Sequence, residues 1–400
     1  MLYLNKPKPK AYFCFMSNKK GLAILGSTGY IGKQAIEIVA TYPDYFDVQV
    51  LTANRNTDLL IEQALKLQPN TVVVVDEAEY KKVSEALWLA DIHVYTGKEA
   101  LSQVLDSGEV EFVLNAISGF AGIAPTIAAI NAKKQVALAN KESILVAGEL
   151  VTNLAHQKGV NIYPVSSQQS SIFQCLVGEF HNKIEKIYLT AKEGPLQNID
   201  ALHLQKVTKE ELCKYSTSFM AAKSGIDSAN MMRAGFAAIE AKWLFNLKPL
   251  QIEILVHKHS IIDSLVQFED GGIKAQMTLP DMRQPIQFAL TYPDRFKTDS
   301  PRLNFTEYPE LSFKEPNPIL LKNLELAFYA LEKGGVSACV LNAANDVAVD
   351  AFLNQKISFT EISQLNNDVL KSIEVIKNPV YDDYLGSDYA ARQTTLSLLK

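Results

Sequence analysis

Short apolar runs alternate with amphipathic stretches along roughly the first 165 residues of the chain. The apolar runs predict strands at residues 21–25, 48–56, 71–76, 111–119, 135–143 and 160–165, and the stretches between them have the spacing of helices. Strands that alternate with helices form a parallel sheet covered by helices. We therefore predict an α/β domain over residues 21–165.

Beyond residue 165 this alternation gives way to mixed segments. Residues 186–196, 252–270 and 273–279 have the composition of strands bounded by turns, and a loop leads into a helix within residues 219–245. These segments predict an α+β domain over residues 166–300, for which the family resemblance described below implies a catalytic type. Prolines and charges without periodicity predict a linker at residues 301–322, and residues 323–400 predict a small helical bundle.

The sequence GSTGYIG, at residues 26–32, follows the first predicted strand and opens an amphipathic helix that Pro43 ends. Its glycines therefore lie at a strand-to-helix turn, where backbone amides can approach a pyrophosphate and the helix N-terminus supplies partial positive charge. This arrangement predicts a Rossmann-like dinucleotide-binding domain. The cofactor contacts predicted in the turn are Gly26, Thr28, Gly29, Tyr30, Ile31 and Gly32.

The end of the second predicted strand distinguishes between the two nicotinamide cofactors. An NAD site places Asp or Glu there to bind the ribose hydroxyls, whereas this chain has Asn54, Arg55 and Asn56. Arg55 suits a 2′-phosphate by its charge and bidentate geometry, and the alternative is an ordinary exposed arginine. We predict that the cofactor is NADP(H), with a further contact from Asn140.

Composition and charge exclude several classes of partner. The formal net charge of −5, without a long basic run, gives no electrostatic footprint for nucleic acid. No apolar stretch is long enough to span a bilayer, and four scattered cysteines without a CxxC pair indicate a reducing compartment. We expect a cytoplasmic protein without nucleic-acid or membrane partners. Residues 1–20 are interpreted as a disordered tail or a start codon placed too early, with Met16 as the natural start.

Six motifs, in fixed order along the chain, carry a resemblance to a known family. They are GSTGYIG at residues 26–32, NKES at 140–143, DSA at 227–229, IEAKWLF at 239–245, PDMRQPI at 280–286 and LNAAND at 341–346. With these motifs the chain resembles the 1-deoxy-D-xylulose 5-phosphate reductoisomerases of the non-mevalonate isoprenoid pathway, over nearly its whole length.

The resemblance implies an NADPH-dependent oxidoreductase that isomerises a sugar phosphate and then reduces it by hydride transfer. It implies a homodimer whose subunit has a cofactor domain, a catalytic domain with a mobile lid, and a C-terminal helical bundle. It also implies a divalent cation, Mg²⁺ or Mn²⁺, which polarises neighbouring oxygens of the substrate.

At the metal site this chain departs from the family pattern. The family supplies two carboxylates from a PVDSE segment and one from the helix after the DSA motif, but those positions hold Ser166, Gln168 and Ala237 here. A hard divalent cation needs several anionic oxygen ligands. We therefore predict no metal ligands and regard the family's divalent cation as doubtful in this chain.

The resemblance also implies residues on the substrate side. Catalytic roles fall on Lys141 and Glu142, which lie beside substrate and metal in the family. The substrate or anion contacts are Ser167, Lys192, Tyr215, Ser228 and Arg233, of which Lys192 replaces a family serine and Tyr215 lies in the lid. His257 and His259 share one face of a strand, and the resemblance favours a structural role for them over metal binding.

Three hypotheses remain open from the sequence. The chain is an NADP(H)-binding relative without the metal-dependent activity, as a pseudoenzyme or regulatory partner. Alternatively it is a metal-independent reductase of another anionic small molecule, with Lys141, Lys192, Tyr215 and Arg233 as the anion-binding and proton-transfer groups. The third hypothesis is an active reductoisomerase with a rebuilt metal site.

Overall fold

Strands and helices alternate from Lys20 to Pro164 in the computed structural model, which describes residues 19–213 and 219–399. In chain order the elements are β1 (Lys20–Leu25), α1 (Tyr30–Thr41), β2 (Phe46–Ala53), α2 (Thr57–Leu67), β3 (Thr71–Val74), α3 (Tyr80–Leu87), β4 (His93–Thr96), α4 (Ala100–Gln103), β5 (Phe112–Asn115), α5 (Ile123–Asn131), β6 (Gln135–Leu138), α6 (Glu142–Leu145), α7 (Gly148–Lys158) and β7 (Ile162–Pro164).

Within the described residues these strands form one seven-stranded parallel sheet in the order β4-β3-β2-β1-β5-β6-β7. The order reverses at β1, so a crevice opens at the carboxyl ends of β1 and β5. The interior strands are buried, as a parallel sheet covered on both faces requires. The predicted Rossmann-like sheet is thus confirmed, although β4 is a partly exposed edge strand that the apolar pattern does not indicate.

A mixed sheet follows. Its elements are α8 (Ser167–Leu176), β8 (Ile184–Lys192), α9 (Ala201–Leu204), α10 (Lys209–Cys213), α11 (Phe219–Ala229), α12 (Met232–Phe245), β9 (Ile252–His257), β10 (Ile262–Phe268), β11 (Ile273–Met277), α13 (Arg283–Thr291) and β12 (Phe313–Lys314). In the described part of the chain its strand order is β11-β10-β8-β9-β12, with β8 and β9 parallel and the other pairs antiparallel. This agrees with the predicted α+β class, and β12 comes from the proline-rich segment at residues 301–322.

Helix α13 returns to the first sheet. Ile286, Ala289 and Leu290 are buried in the same apolar cluster as Leu22 and Ile24 of β1. The Nζ of Lys20 also donates a hydrogen bond to the carbonyl oxygen of Leu290, at 2.7 Å. Through these contacts, α13 holds the mixed-sheet region against the parallel sheet.

Four further helices complete the chain: α14 (Lys322–Lys333), α15 (Ser337–Leu353), α16 (Phe359–Ser372) and α17 (Tyr381–Leu398). Helix α15 packs against α14, α16 and α17, and α14 packs against α12. The predicted C-terminal helical bundle is therefore confirmed. Among the described helices, none is long and apolar enough to cross a membrane.

The close packing of α12 on α14 gives a test of this architecture. A Cβ atom added to Gly235 of α12 would overlap the Cβ of Ala327 of α14. We expect Gly235→Ala to lower the free energy of unfolding by about 1–3 kcal/mol, because the two helices must separate. Urea denaturation followed by circular dichroism measures this change.

The matched control is Gly386→Ala in α17, where an added Cβ meets no atom within 4 Å. Alanine is the better helix former, so this variant should gain about 0.5–1 kcal/mol. Similar stabilisation by both substitutions would contradict the packing argument.

Candidate functional site

A large cavity, of about 1010 Å³, opens above the carboxyl ends of the parallel strands. We call it the cofactor cavity, because the turn predicted to bind the cofactor lines it. Its walls include Gly26, Thr28 and Gly29 of the β1–α1 turn, Asn54 after β2 and Val75 after β3. Open α/β sheets bind their ligands in this crevice. Its volume lies at the upper end of the range of about 300–1,000 Å³ typical of small-molecule sites.

The β1–α1 turn allows close approach of an anion. Gly26 has a φ of +79°, and a Cβ there would lie 2.9 Å from the carbonyl oxygen of Ala116. A Cβ on Gly32 would overlap the backbone of Gly26 and Ser27. Helix α1 follows Gly29 without a side-chain cap, so the N–H groups of its first turn are available to a phosphate.

Arg55 follows Asn54, which lines this cavity. Its side chain is 80% exposed, and its Nε donates to Oδ2 of Asp76 at 2.8 Å. The ion pair holds one edge of the guanidinium and leaves further N–H donors for another acceptor. Asn56, the residue before α2, is also exposed.

Three other predicted cofactor residues lie away from the cavity walls. Ile31 lines the neighbouring cleft, and Tyr30 lines a second polar cavity. Asn140 is buried, and its Nδ2 donates to the carbonyl oxygens of Ile117 at 2.7 Å and Gly119 at 2.9 Å. Asn140 therefore orders the loop that borders the cofactor cavity, and direct contact of these three residues with cofactor stays a prediction.

A cleft of about 240 Å³ joins the cofactor cavity at Ala116, Ile117 and Ser118, which line both. We call it the charged cleft, because six ionisable side chains line it: Lys141, Glu142, Lys223, Asp227, Arg233 and Glu240. They come from the start of α6 and from α11 and α12. A ligand in the cofactor cavity would therefore present one end to this cleft.

Lys223 is held by two carboxylates. Its Nζ lies 2.6 Å from Oδ2 of Asp227 and 3.3 Å from Oδ1 of Asp346. Burial alone would lower the pKa of Lys223, but these two carboxylates outweigh it and raise the pKa. Asp227 also accepts a hydrogen bond from Nδ2 of Asn345 at 2.8 Å. Lys223 is therefore a fixed cation anchored to α15.

Lys141, Glu142 and Glu240 form an electrostatically coupled group. Burial raises the pKa of Glu240 to about 7, against the opposing effect of the Lys141 ammonium. Burial also raises the pKa of Glu142 and lowers that of Lys141, although part of the Lys141 side chain still faces the open cleft. The cleft thus contains a carboxyl group that can exchange a proton near neutral pH.

Arg233 lies near the start of α12 with its side chain exposed at the cleft. Its Nη1 donates to Oγ of Ser224 at 2.7 Å, and Oγ of Ser228 donates to the carbonyl oxygen of Ser224 at 2.8 Å. In the described part of this cleft, the carboxylate ion pairs are those of Lys223. Arg233 and Lys141 therefore retain N–H groups that an anion can use.

The three positions that the family resemblance assigns to the metal hold no carboxylate. Gln168 donates its Nε2 to the carbonyl oxygen of Thr190 at 2.9 Å, Ser166 precedes α8, and Ala237 is buried in α12. Within residues 19–213 and 219–399, no three His, Cys, Asp or Glu side chains cluster so that they could hold a metal ion. A divalent cation that needs several anionic oxygens does not fit here.

Ser167 lies in the second polar cavity, which has a volume of about 220 Å³. Its hydroxyl is hydrogen-bonded to Asp263, and burial raises the pKa of that carboxyl despite this bond. Lys192 is exposed at the end of β8 and lines neither the charged cleft nor the two cavities. Tyr215 lies outside the described residues.

The two histidines of β9 and the turn after it have packing partners. The Nδ1 of His257 lies 2.9 Å from the carbonyl oxygen of Ser312, and its ring stacks on Phe313 with centroids 4.8 Å apart. The ring of His259 packs edge-on against Tyr308. These contacts are of the structural kind that the sequence analysis favours.

The structure thus brings Lys141, Glu142 and Arg233 together, as the resemblance implies. It adds Lys223 and Glu240, which the sequence analysis does not select. For Glu240 a signal exists, because an acid within the apolar run AGFAAIEAKWLF at residues 234–245 must be buried with it. For Lys223 the signal is partial, since Asp227 lies four residues further along the same helix but the second carboxylate partner, Asp346, lies far away in sequence.

A dinucleotide crevice beside a charged cleft, on a parallel sheet joined to a mixed sheet and a helical bundle, defines an oxidoreductase of the dinucleotide-binding class. Three family models match the chain. They are 1-deoxy-D-xylulose 5-phosphate reductoisomerase at residues 22–148, the C-terminal domain of that reductoisomerase at residues 162–245, and the DXP reductoisomerase C-terminal domain at residues 277–394. The chain belongs to the 1-deoxy-D-xylulose 5-phosphate reductoisomerase family.

Relatives match over nearly full length. The chain is 48% identical to the 1-deoxy-D-xylulose 5-phosphate reductoisomerase of Phocaeicola vulgatus, over 95% of this chain and 99% of that one. It superposes with a TM-score of 0.91 and 34% identity on the Zymomonas mobilis enzyme in complex with NADPH, covering 96% and 99% of the two chains. A second solved structure, a reductoisomerase with NADPH, fosmidomycin and magnesium, has a TM-score of 0.83 and 32% identity, over 95% and 98% of the two chains.

The coupling of Glu240 to Lys141 can be tested directly. In Lys141→Met we expect the pKa of Glu240 to rise above its value of about 7, because the ammonium that lowers it has gone. A pH titration of ¹³C-labelled glutamate carboxyls by NMR measures the pKa, and loss of the signal in Glu240→Gln assigns it. The control is Lys192→Met, and an unchanged Glu240 pKa in Lys141→Met would contradict the coupling.

The same shift has a consequence for stability. The folded chain keeps a proton on Glu240 up to a pKa of about 7, whereas the unfolded chain releases it near the ordinary value of 4.5. The folded state therefore binds more protons in this window, and this residue makes the free energy of unfolding fall as pH rises through it.

Proposed function

We propose that this chain binds NADP(H) and does not catalyse the metal-dependent reaction of its family. One observation carries the proposal. The positions at which the family resemblance places the metal-binding carboxylates hold uncharged residues here, Ser166, Gln168 and Ala237. The third hypothesis, a rebuilt metal site, lacks support because the described residues contain no alternative ligand cluster.

Charge in the cleft supports the same conclusion. A divalent cation gives up part of its hydration when it binds, and anionic oxygens must compensate for that loss. Asp227 is already committed to Lys223, and Lys141 and Arg233 add further positive charge. Lys141 and Arg233 repel a divalent cation at short range, and the two remaining carboxyls, Glu142 and Glu240, interact with Lys141. We therefore infer that the cleft suits an anion better than a divalent cation.

Binding of the cofactor is supported by the geometry of the crevice. We place the pyrophosphate on the N–H groups of the β1–α1 turn, over Gly26 and Gly29, and the 2′-phosphate beside Arg55. The Zymomonas mobilis relative is in complex with NADPH, which supports binding of the same cofactor by this chain.

A second candidate function is metal-independent reduction of a small anionic carbonyl compound, such as a sugar phosphate. Arg233 and Lys141 would bind the anion, and Glu240 would supply the proton because its pKa of about 7 suits a general acid at neutral pH. Hydride would pass from NADPH to the carbonyl carbon and the proton to the carbonyl oxygen, which yields an alcohol and NADP⁺. Lys192 and Tyr215 stay predictions as further anion contacts.

The metal part of the proposal can be tested by restoring the carboxylates. We expect the wild-type protein to bind NADPH, to bind Mn²⁺ negligibly, and to oxidise no NADPH with 1-deoxy-D-xylulose 5-phosphate, with or without Mg²⁺ or Mn²⁺. The triple variant Ser166→Asp, Gln168→Glu, Ala237→Glu should bind Mn²⁺ at least about tenfold more tightly, because it regains three anionic ligands. Electron paramagnetic resonance measures free Mn²⁺, and loss of NADPH absorbance measures turnover.

Two outcomes would contradict the proposal. Metal-dependent turnover by the wild-type protein would mean that other groups hold the cation. Absence of NADPH binding, by fluorescence titration, would remove the cofactor from the proposal.

The choice of NADP(H) over NAD(H) depends on Arg55. We expect Arg55→Leu to raise the Kd for NADPH by about 5- to 30-fold, since a charge-assisted hydrogen bond at an exposed site contributes about 1–2 kcal/mol. The Kd for NADH should not change. Asp76→Asn is the matched variant, because it releases the Arg55 guanidinium from its ion pair and should leave NADPH binding equal or tighter. Equal losses of NADPH and NADH affinity in Arg55→Leu would contradict this role.

A further inference from the structure

Two of the residues that line the cofactor cavity come from the C-terminal part of the chain. The other lining residues lie between Gly26 and Pro125, but Tyr381 and Leu385 of α17 also line it. We propose that α17 forms the roof of the adenosine half of this cavity, with the Tyr381 ring packed on the adenine. The inference rests on the proposed binding of NADP(H) and names a contact that the cofactor turn does not supply.

The geometry of α17 directs both side chains to one side. Tyr381 is its first residue and Leu385 follows one turn later, so the two lie on the same face. Tyr384, three residues after Tyr381, is buried in the core. The carboxylate of Asp383 accepts a hydrogen bond from the N–H of Val380 at 2.8 Å, which fixes the start of the helix at Tyr381.

Contacts within the protein hold the roof in place. Arg392 of α17 donates to Asp346 of α15 at 2.8 Å and to Asp388 of its own helix at 2.8 Å. The sulfhydryl of Cys339 also donates to the backbone carbonyl of Tyr384 at 3.4 Å. A wall fixed before binding costs little conformational entropy when a ligand arrives.

The position of the roof assigns it to the adenosine half. The nicotinamide end of the cofactor must reach the charged cleft, and Ala116, Ile117 and Ser118 mark the junction because they line both spaces. Tyr381 and Leu385 line the cofactor cavity but not the cleft. They therefore lie outside the cleft, on the side of the junction that we assign to the adenosine half.

The chemistry of this part of the cavity suits a flat heterocycle. The Tyr381 ring lies near the Phe120 ring, with centroids 6.4 Å apart, and Ala121, Ala124 and Leu101 add apolar surface. Purine bases pack well on aromatic side chains, and removal of one such ring weakens binding by about 1–3 kcal/mol in nucleic-acid complexes. The hydroxyl of Tyr381 is not needed for this contact.

The test measures the Kd for NADPH and for adenosine 2′,5′-bisphosphate, which lacks the nicotinamide half, by calorimetry. We expect Tyr381→Ala to raise both values at least about fivefold, which corresponds to the lower end of that range, and Tyr381→Phe to leave both nearly unchanged. The control is Tyr389→Ala on the same helix, where the side chain is 67% exposed and lines neither space. Leu385→Ala provides a second variant that should weaken both ligands even if Tyr381→Ala unfolds the helix.

The outcomes separate the two proposals. Wild-type affinities retained by Tyr381→Ala and Leu385→Ala, with NADPH still bound by the wild-type protein, would overturn the roof alone. A loss for NADPH with none for adenosine 2′,5′-bisphosphate would also overturn it, since the contact would then lie at the nicotinamide half. If the wild-type protein bound neither ligand, the proposed function and the roof would both be wrong.

Discussion

Helix α12 packs against elements from all three parts of the chain, and its burial constrains where charges can lie around it. It contacts α6 and α7 beneath the parallel sheet, α8 and β8 of the mixed-sheet region, and α14 of the bundle. A helix enclosed in this way must be apolar all round, and the residues from Ala234 to Ala241 are indeed buried. Glu240 is the exception in this run. A buried carboxyl must be paired with a cation or hold a proton, and Glu240 does some of each, beside Lys141 and with a pKa of about 7.

This constraint makes the charge of the cleft depend on one proton. The positive charge of Lys223 is neutralised by Asp227 and Asp346, so Lys223 contributes little electrostatic attraction for a ligand. Lys141 is balanced by Glu240 only while that carboxyl is ionised, and Arg233 has a hydroxyl rather than a carboxylate as its hydrogen-bond partner. Protonation of Glu240 therefore leaves Glu142 as the remaining carboxyl beside Lys141, and Arg233 without a carboxylate partner. An anion in the cleft stabilises that state, whereas a divalent cation would add to the positive charge of Lys141 and Arg233.

The sequence predicts the elements whose causes are local. The β1–α1 turn follows from an apolar strand, glycines at positions that tolerate no Cβ, and an amphipathic helix, all within residues 21–43. The features that it does not predict depend on distant contacts. Edge strand β4 lacks an apolar face, α13 returns to a sheet formed much earlier, and Lys223 finds Asp346 only when α15 packs beside α11. Tyr381 carries no signal in its own neighbourhood, because its place in the cofactor cavity depends on the packing of the whole bundle.

The C-terminal helical bundle connects the cofactor cavity and the charged cleft through a single carboxylate. Asp346 of α15 accepts from Arg392 of α17 through one oxygen and pairs with Lys223 of the charged cleft through the other. Arg392 holds the helix that carries Tyr381, so the wall of the cofactor cavity and a cation of the cleft share one anchor. A ligand that drew Lys223 into the cleft would leave Asp346 to Arg392 alone and strengthen that second pair. The cleft and the cofactor cavity are thus joined by a chain of fixed charges within the protein, and this link requires no metal ion at Ser166, Gln168 and Ala237.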